Sequence, residues 1–277
     1  MMRCESIAIS AAAVLAWIFS GASSPVNFQA AALPNELRVC SDPNNLPFSN
    51  KSGEGFENKI AELIAKDVHK KPSYVYEIQG ENFIKNTLDA GRCDIVMGLP
   101  VGFAQALLTK PYYASQYSFV YRADRKLALH SIKDARLAKL KIGVHLLGDS
   151  DSPPVQAFTR EGIVRNIVGF MIQGDTSKPN PPARLIEAVA HGDVDVAAVW
   201  GPLGGYFAKR SAVPLEVVPI TDVKAFAPLA FRYEIAMGVR MGNDALKAQL
   251  NTIIAQRHAQ ITRILQDYGI PLDDGGR

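Results

Sequence analysis

One junction occurs twice in this 277-residue chain, and it restricts the fold more than any other feature. The first copy, residues 83–98, reads FIKNTLDAGRCDIVMG; the second, residues 185–201, reads LIEAVAHGDVDVAAVWG. In both, an amphipathic helical stretch ends at a glycine, Gly91 or Gly192. An acid, Asp94 or Asp195, then leads into an apolar run that closes on a second glycine. Glycine suits the left-handed position that follows a helix. Short Val, Ile and Ala runs of this kind fit strands covered on both faces, which are parallel strands. Two copies predict two α/β lobes, and a cleft between lobes is where small ligands are held.

The N-terminus has the form of a secretory leader over residues 1–32. Arg3 gives the positive start, residues 7–19 form an apolar segment too short to cross a bilayer, and cleavage follows Ser23 or Ala32. No later stretch is long and apolar enough to insert in a membrane. Removing the leader takes away one base and one acid, Arg3 and Glu5, so the charge stays at +3. That balance is mildly basic and favours an acidic partner without requiring one. No Lys/Arg run interleaved with aromatics marks a nucleic-acid surface.

Two cysteines, Cys40 and Cys93, follow the leader. Export and an even count favour a disulfide. Strand register opposes it, because neighbouring parallel strands would hold the two residues several positions apart. Both states stay open on the sequence.

The first lobe is expected as β-α-β-α-β: a strand at residues 37–40, a turn-rich loop at 41–50, a helix at 54–70 stopped by Pro72, a strand at 74–78, a short helix at 81–90 and a strand from Asp94. The extended run 117–121 crosses into a second lobe. That lobe has strands at 140–145, 170–173, 194–200 and 215–220, a helix starting near Pro153 and another at 183–190. Residues 233–239 return, and a long helix capped by Asn243 ends the chain. Lobe 1 is thus residues 33–115 with 233–277, and lobe 2 is 116–232, joined by two crossings near 114–118 and 229–233 that permit hinge motion.

This order of elements resembles the type II periplasmic solute-binding fold over the whole mature chain. Residues 37–50 (LRVCSDPNNLPFSN), 53–58 (GEGFEN), 93–98 (CDIVMG), 180–184 (NPPAR) and 199–203 (VWGPL) are similar to a narrower group. That group is the MxaJ/XoxJ type, the binding-protein-like components that accompany pyrroloquinoline-quinone (PQQ) methanol dehydrogenases. The resemblance implies a periplasmic accessory of methanol oxidation rather than an enzyme, with the dehydrogenase or its cytochrome c as partner and no cofactor of its own. The short, split second lobe leans toward the lanthanide-type dehydrogenase.

Amino-acid receptors of the resembled fold clamp the ligand carboxylate with an Arg shortly after the third strand. Residues 98–111 here contain no Arg, and Lys110 beside Pro111 is expected to face away. The second grip is a helix N-terminus, yet Asp149 and Asp151 stand at that turn and would take its N–H groups and repel an anion. Amino-acid binding is therefore not expected. The Asp149/Asp151 pair has too few ligands around it for a metal site.

Strand C-terminal ends face the crevice in open α/β sheets. They supply the cleft candidates Asp42, Asn44, Asn45, Phe48, Gly98, Pro100, His145, Trp200, Gly201 and Pro202, with Tyr112 and Tyr113 at the mouth of the hinge. Plain alternatives compete: Asn44 and Asn45 as turn formers, Trp200 as core, and both tyrosines as hinge packing. The five histidines are scattered, and no hydrolase, zinc-protease or phosphate-loop pattern occurs. A protein-docking accessory and a receptor for a small non-amino-acid solute remain as rival functions.

Overall fold

In a computed structural model, residues 35–146, 151–172 and 180–273 are described. The expected leader, Asp149 and Gln173 lie outside them.

The first part of the chain forms β1 (Glu36–Ser41), β2 (Asn44–Asn45), β3 (Ser49–Asn50), α1 (Phe56–Asp67), β4 (Lys71–Tyr76), β5 (Ile95–Pro100) and β6 (Leu107–Leu108). β7 (Tyr113–Arg122) then leads to β8 (Ile142–Leu146), α2 (Pro153–Arg160), β9 (Ile167–Met171), α3 (Arg184–His191), β10 (Val196–Trp200), α4 (Gly201–Arg210) and β11 (Leu215–Pro219). β12 (Arg232–Val239) and α5 (Asp244–Asp267) complete the fold. The large sheet has the order β4-β1-β5-β12-β7-β10-β8-β9, with β11 on the other edge of β7 and β6 on β12. β4, β1 and β5 are mutually parallel, as are β10, β8 and β9. β7 and β12 are the two crossings and pair antiparallel, Tyr113 with Ile235 through Gln116 with Arg232.

The repeated junction is a register clamp. In the first copy, the Asp94 N–H donates to the Arg38 carbonyl (2.8 Å). Its carboxylate accepts the Arg38 N–H (2.9 Å) and the Arg38 guanidinium (2.6 Å). In the second copy, the Asp195 N–H donates to the Lys141 carbonyl (2.8 Å), and its carboxylate accepts the Lys141 N–H (2.8 Å). The next residues pair in register, Val39 with Ile95 and Ile142 with Val196. Gly91 and Gly192 both hold a left-handed φ, +70° and +83°. That turn lets the chain leave the helix and present the aspartate to the first strand of its own lobe.

This clamp also decides the cysteines. Cys40 and Cys93 are bonded, with Cα atoms 5.5 Å apart. Register opposes the bond only if Cys93 is extended; Cys40 does face Val96. Cys93, however, lies in the turn before β5, where the chain folds over β1. The second lobe shows the same geometry without sulfur: a Cβ on Gly143, the counterpart of Cys40, would come within 3.2 Å of Val194, the counterpart of Cys93.

Four expectations change. β4 starts at Lys71 and includes Pro72. It is an edge strand, where the missing proline N–H costs no ladder bond. The short helix of the first junction is a π-helical turn, Lys85–Asp89. β9 begins at Ile167, because Asn166 anchors its start by donating to the carbonyls of Leu137 (2.7 Å) and Leu140 (2.5 Å). Helix α4 was not expected at all, since three glycines and a proline within it oppose helix formation. Those glycines permit contact. A Cβ on Gly201 would lie 2.5 Å from the Gln116 carbonyl, and one on Gly205 2.1 Å from the Gly269 carbonyl. α4 also sends Lys209 to the last carbonyls of α5, those of Gln266 (3.2 Å) and Asp267 (2.8 Å). Tertiary approach outweighs propensity here.

The cores divide along the same lines. One gathers α1, α5, β5 and β12 around Phe56, Ile60, Met97 and Met237. Another gathers β7, β8 and β10 around Phe119, Tyr121, Phe158 and Val196. Trp200 packs against both of these and against the cluster under α3.

Two substitutions test this account. Asp94→Asn removes charge-assisted bonds to a half-buried backbone and is expected to cost about 2 kcal/mol in urea unfolding. Replacing both Cys40 and Cys93 by Ser is expected to cost about 4 kcal/mol, the closure entropy of a loop of that length, with 53 residues separating the cysteines.

Candidate functional site

The cleft begins with the loop that follows β1. The Asp42 carboxylate accepts the N–H groups of Asn44 and Gln79, both at 2.8 Å. Ser49 Oγ donates to the Asp42 carbonyl (2.9 Å). Asn45 Nδ2 donates to Gln79 Oε1 (3.0 Å). This network fixes the loop so that Phe48 projects toward the other lobe. Phe48 packs against cores on both sides, and its ring centroid is 5.4 Å from that of Phe56. The carbonyls of Pro47 and Phe48 accept the N–H groups of Phe56 (2.8 Å) and Glu57 (3.0 Å). The N-terminus of α1 is thus filled by the chain's own atoms. Gly55 makes that approach feasible, since a Cβ there would stand 1.9 Å from the Phe48 carbonyl oxygen.

From the other lobe, Asn180 donates its N–H to Asn44 Oδ1 (3.0 Å) across the cleft. α2 opens with Ser152, Pro153 and Pro154. Two prolines at the first two helical positions remove N–H donors that an anion would use. Trp200 ends β10 between the two crossings, with centroids 5.5 Å from Tyr117 and 5.7 Å from Tyr233.

These parts enclose a cavity of about 420 Å³. Asn45, Phe48, Gln79 and Pro100 line it from one side; Ser152, Pro153, Ile172 and Leu203 from the other; Tyr117, Tyr233, Ile235 and Trp200 form its floor. Among the described residues, Asp151 is the charged member of the lining, and no Lys or Arg joins it. The chemistry suits flat or apolar groups with one or two amide hydrogen bonds.

The structure brings Asn45, Phe48, Pro100 and Trp200 of the expected set together around this space. Asp42 and Asn44 stand behind it as organisers of the loop and of the contact to Asn180. Gly201 and Pro202 begin α4 and are buried. Tyr112 and Tyr113 lie inside the first core rather than at the mouth of the hinge, 4 % and 7 % exposed, with Tyr113 edge-on to Phe56 at 6.0 Å. Lys110 donates its N–H to Asn251 on α5 (2.7 Å), on the outside of the lobe. Tyr117, Tyr233, Gln79, Ile172 and Leu203 were not anticipated. The two tyrosines had a signal, being aromatic residues on the two crossings where any cleft must have its floor.

Two buried ionisable groups flank the cleft. Glu57, on the first turn of α1, lies against Gly98, whose missing Cβ leaves room for the carboxyl. Burial, and then the charge of Asp42, push Glu57 up to about 8. His145 is buried with Nε2 3.2 Å from the Pro182 carbonyl, and burial pulls it down to about 4 despite that bond. Glu57 is thus protonated and His145 neutral at pH 7.

Comparison with known proteins gives one answer at two levels. The profile of bacterial extracellular solute-binding proteins, family 3, matches residues 37–270. The periplasmic binding protein XoxJ from Methylobacterium extorquens AM1 is 34% identical with a TM-score of 0.71, covering 86% of this chain and 99% of that one. MxaJ from Methlophaga aminisulfidivorans MPT is 25% identical with a TM-score of 0.73, covering 86% and 100%. Protein MoxJ of Methylorubrum extorquens is 28% identical over 244 residues, 85% of this chain and 81% of its own length. An ancestral cationic amino acid solute-binding protein, 20% identical with a TM-score of 0.66, shares the fold.

Glu57 gives the site a testable pH dependence. Between 4.5, its ordinary value, and about 8, the folded chain holds a proton that the unfolded chain has released. Stability therefore falls as pH rises through that window, by at most about 1.4 kcal/mol per pH unit. His145 acts oppositely: its stabilising neutral form is lost as pH falls from 6.5 toward 4. Between pH 6.5 and 8 Glu57 acts without that opposition. Glu57→Gln is expected to melt higher than the parent at pH 8, with the gap closing toward pH 5 in thermal scans.

The helix-glycine-aspartate-strand repeat, the paired crossings and these relatives agree: the chain belongs to family 3 of the bacterial extracellular solute-binding proteins, and within it to the MxaJ/XoxJ type.

Proposed function

We propose that this chain is a periplasmic, non-catalytic accessory of methanol oxidation. It docks on a PQQ-dependent methanol dehydrogenase, or on that enzyme's cytochrome c, and aids its assembly or activation, with the lanthanide-type enzyme as the preferred partner. The leader of residues 1–32 directs export. Lobe 1 (residues 33–115 and 233–277) and lobe 2 (116–232) act as one docking scaffold, with the cleft residues Asn45, Phe48, Pro100 and Trp200 between them.

The observation that carries this reading is what the cleft lacks for its size. Among the described residues no lysine or arginine lines the cavity, α2 begins with two prolines, and the α1 N-terminus is occupied by the chain's own carbonyls. Among the described residues an amino-acid carboxylate finds neither a guanidinium nor an open helix start to hold it. The relatives named MoxJ, MxaJ and XoxJ support the link to methanol oxidation. Among the described residues, no group of three or more His, Cys, Asp or Glu is placed to hold a metal ion.

The cavity of about 420 Å³ favours one second reading, a receptor for a neutral, flat solute delivered to an importer. Both readings meet in one experiment. The tagged mature protein, incubated with periplasm from methanol-grown cells and no added small molecule, is expected to recover a quinoprotein dehydrogenase or its cytochrome by mass spectrometry. Recovery of importer components, or of neither class, overturns the accessory role. In parallel, arginine, glutamate and glutamine are expected to leave the melting temperature unchanged. A genuine ligand at 100 times its Kd would add about 2.7 kcal/mol.

A further inference from the structure

The charge of this chain is unevenly placed. Residues 122–141 carry seven Lys or Arg and two Asp, a net +5, whereas the whole chain carries +3. Everything outside that strip is therefore net −2.

The fold gathers the strip at one end of the second lobe. It runs from the end of β7 through two 3-10 turns to the start of β8, at the edge away from the C-terminal strand ends that make the cleft. Contacts fold it onto itself. Arg136 Nη1 donates to the Leu127 carbonyl (2.7 Å), and Arg125 pairs with Asp195 (2.8 Å), whose carboxylate also holds the Lys141 N–H. Asn166 donates to the Leu137 and Leu140 carbonyls, which brings the neighbouring Arg165 beside Lys139 in sequence position on the same edge.

Three of the arginines are committed. Arg122 binds Asp124 (2.7 Å), Arg136 binds Asp134, and Arg125 binds Asp195. Lys126, Lys139, Lys141 and Arg165 are exposed, and among the described residues none has a carboxylate partner. Asp124, Asp134 and Asp195 are spent on the committed arginines, so within residues 122–141 the uncommitted charge is all positive; Glu216 and Asp193 are exposed acids that border it. An exposed face of that kind raises the encounter rate with an oppositely charged surface and sets the orientation of approach. Interspersed acids and fixed Arg–Asp pairs favour a protein surface of defined pattern. A membrane surface would need exposed aromatic anchors, and the rings against the strip, Tyr121 and Phe226, are buried.

We propose that this basic end of the second lobe, centred on Lys126, Lys139, Lys141 and Arg165, is the surface on which the chain receives an acidic protein partner, leaving the cleft free. The inference rests on the docking role proposed above and adds the surface and the sign of its charge.

The test uses the full mature chain and purified PQQ methanol dehydrogenase, with its cytochrome c as a second probe, followed by surface plasmon resonance at 0.05 and 0.5 M NaCl. The parent chain is expected to bind with an on-rate that falls at least tenfold at the higher salt. Lys126→Glu/Lys139→Glu/Arg165→Glu is expected to lose at least tenfold in on-rate at low salt. Lys66→Glu/Lys70→Glu/Lys85→Glu, the same charge change on lobe 1, is expected to bind within about twofold of the parent. Parent-like binding by the first triple variant overturns the proposed surface while leaving the docking role intact. No binding by the parent to either probe overturns both. Should the first triple variant fail to fold, parent binding that is indifferent to salt overturns the surface by itself. Equal salt-sensitive binding of the parent to vesicles of anionic lipid, abolished in the triple variant, assigns the face to membrane and overturns the protein partner.

Discussion

Two aspartates hold this architecture in register. Asp94 and Asp195 each exchange two backbone bonds with the first strand of their lobe, one through the peptide N–H and one through the carboxylate. A parallel strand pair has no hairpin to fix its alignment, and a slip of one residue would turn each buried face outward. The carboxylate supplies what a tight turn supplies in antiparallel pairs. With β5 and β10 fixed, β12 and β7 have defined neighbours, and the crossings fall where Tyr113–Gln116 meet Arg232–Ile235. The cleft floor, Tyr117 and Tyr233 under Trp200, follows from that pairing.

The second constraint is the seam between the lobes. α4 belongs in sequence to the second lobe, yet its glycines sit against the segment that follows α5, and Lys209 caps that helix. Tyr206 stacks on Tyr268 across the seam at 5.8 Å, with the Arg210 guanidinium 3.7 Å over the Tyr206 ring. Together with the Asn180–Asn44 bond at the far side of the cleft, these contacts tie the lobes at both ends. A receptor that closes only on its ligand needs such contacts to be made late and to depend on the ligand. Here the contacts run between protein groups: Tyr206 with Tyr268, Lys209 with the end of α5, and Asn180 with Asn44.

The lobes, the crossings and most strands were legible in the sequence because they rest on hydrophobic period and on glycine at helix ends, both local signals. Segments that depend on distant neighbours were less so. α4 reads as a broken loop until Gly269 and Gln116 are seen to need its glycines. The Cys40–Cys93 bond reads as out of register until Cys93 is placed in the turn. Within the site, residues that end strands were found, since strand ends point to the crevice. Gln79 was missed because it reaches the cavity from an irregular segment whose path no period encodes, and Ile172 because the strand expected at 170–173 runs Ile167–Met171 and leaves it just past the strand end. Tyr112 and Tyr113 were placed at the mouth from their position before the crossing, but burial against Phe56 draws them into the core.

The same economy explains the chemistry of the cleft. An anion in a cleft of this kind would be held by open helix N-termini and a guanidinium. In this chain, one helix start is filled by the Pro47 and Phe48 carbonyls, the other begins with Pro153 and Pro154, and among the described residues no guanidinium lines the space. Of the acids near the cleft, Glu57 is protonated and Asp42 is bound by two N–H groups, while Asp151 at the start of α2 keeps its charge in the lining. The rest of the described lining is shape, amide and aromatic surface, which discriminates chiefly by fit. At the outer end of the second lobe, uncommitted positive charge is gathered where it can act at long range. Recognition by fit in the cleft and attraction at the outer end are thus separated in space, and a partner could be drawn to one without displacing whatever occupies the other.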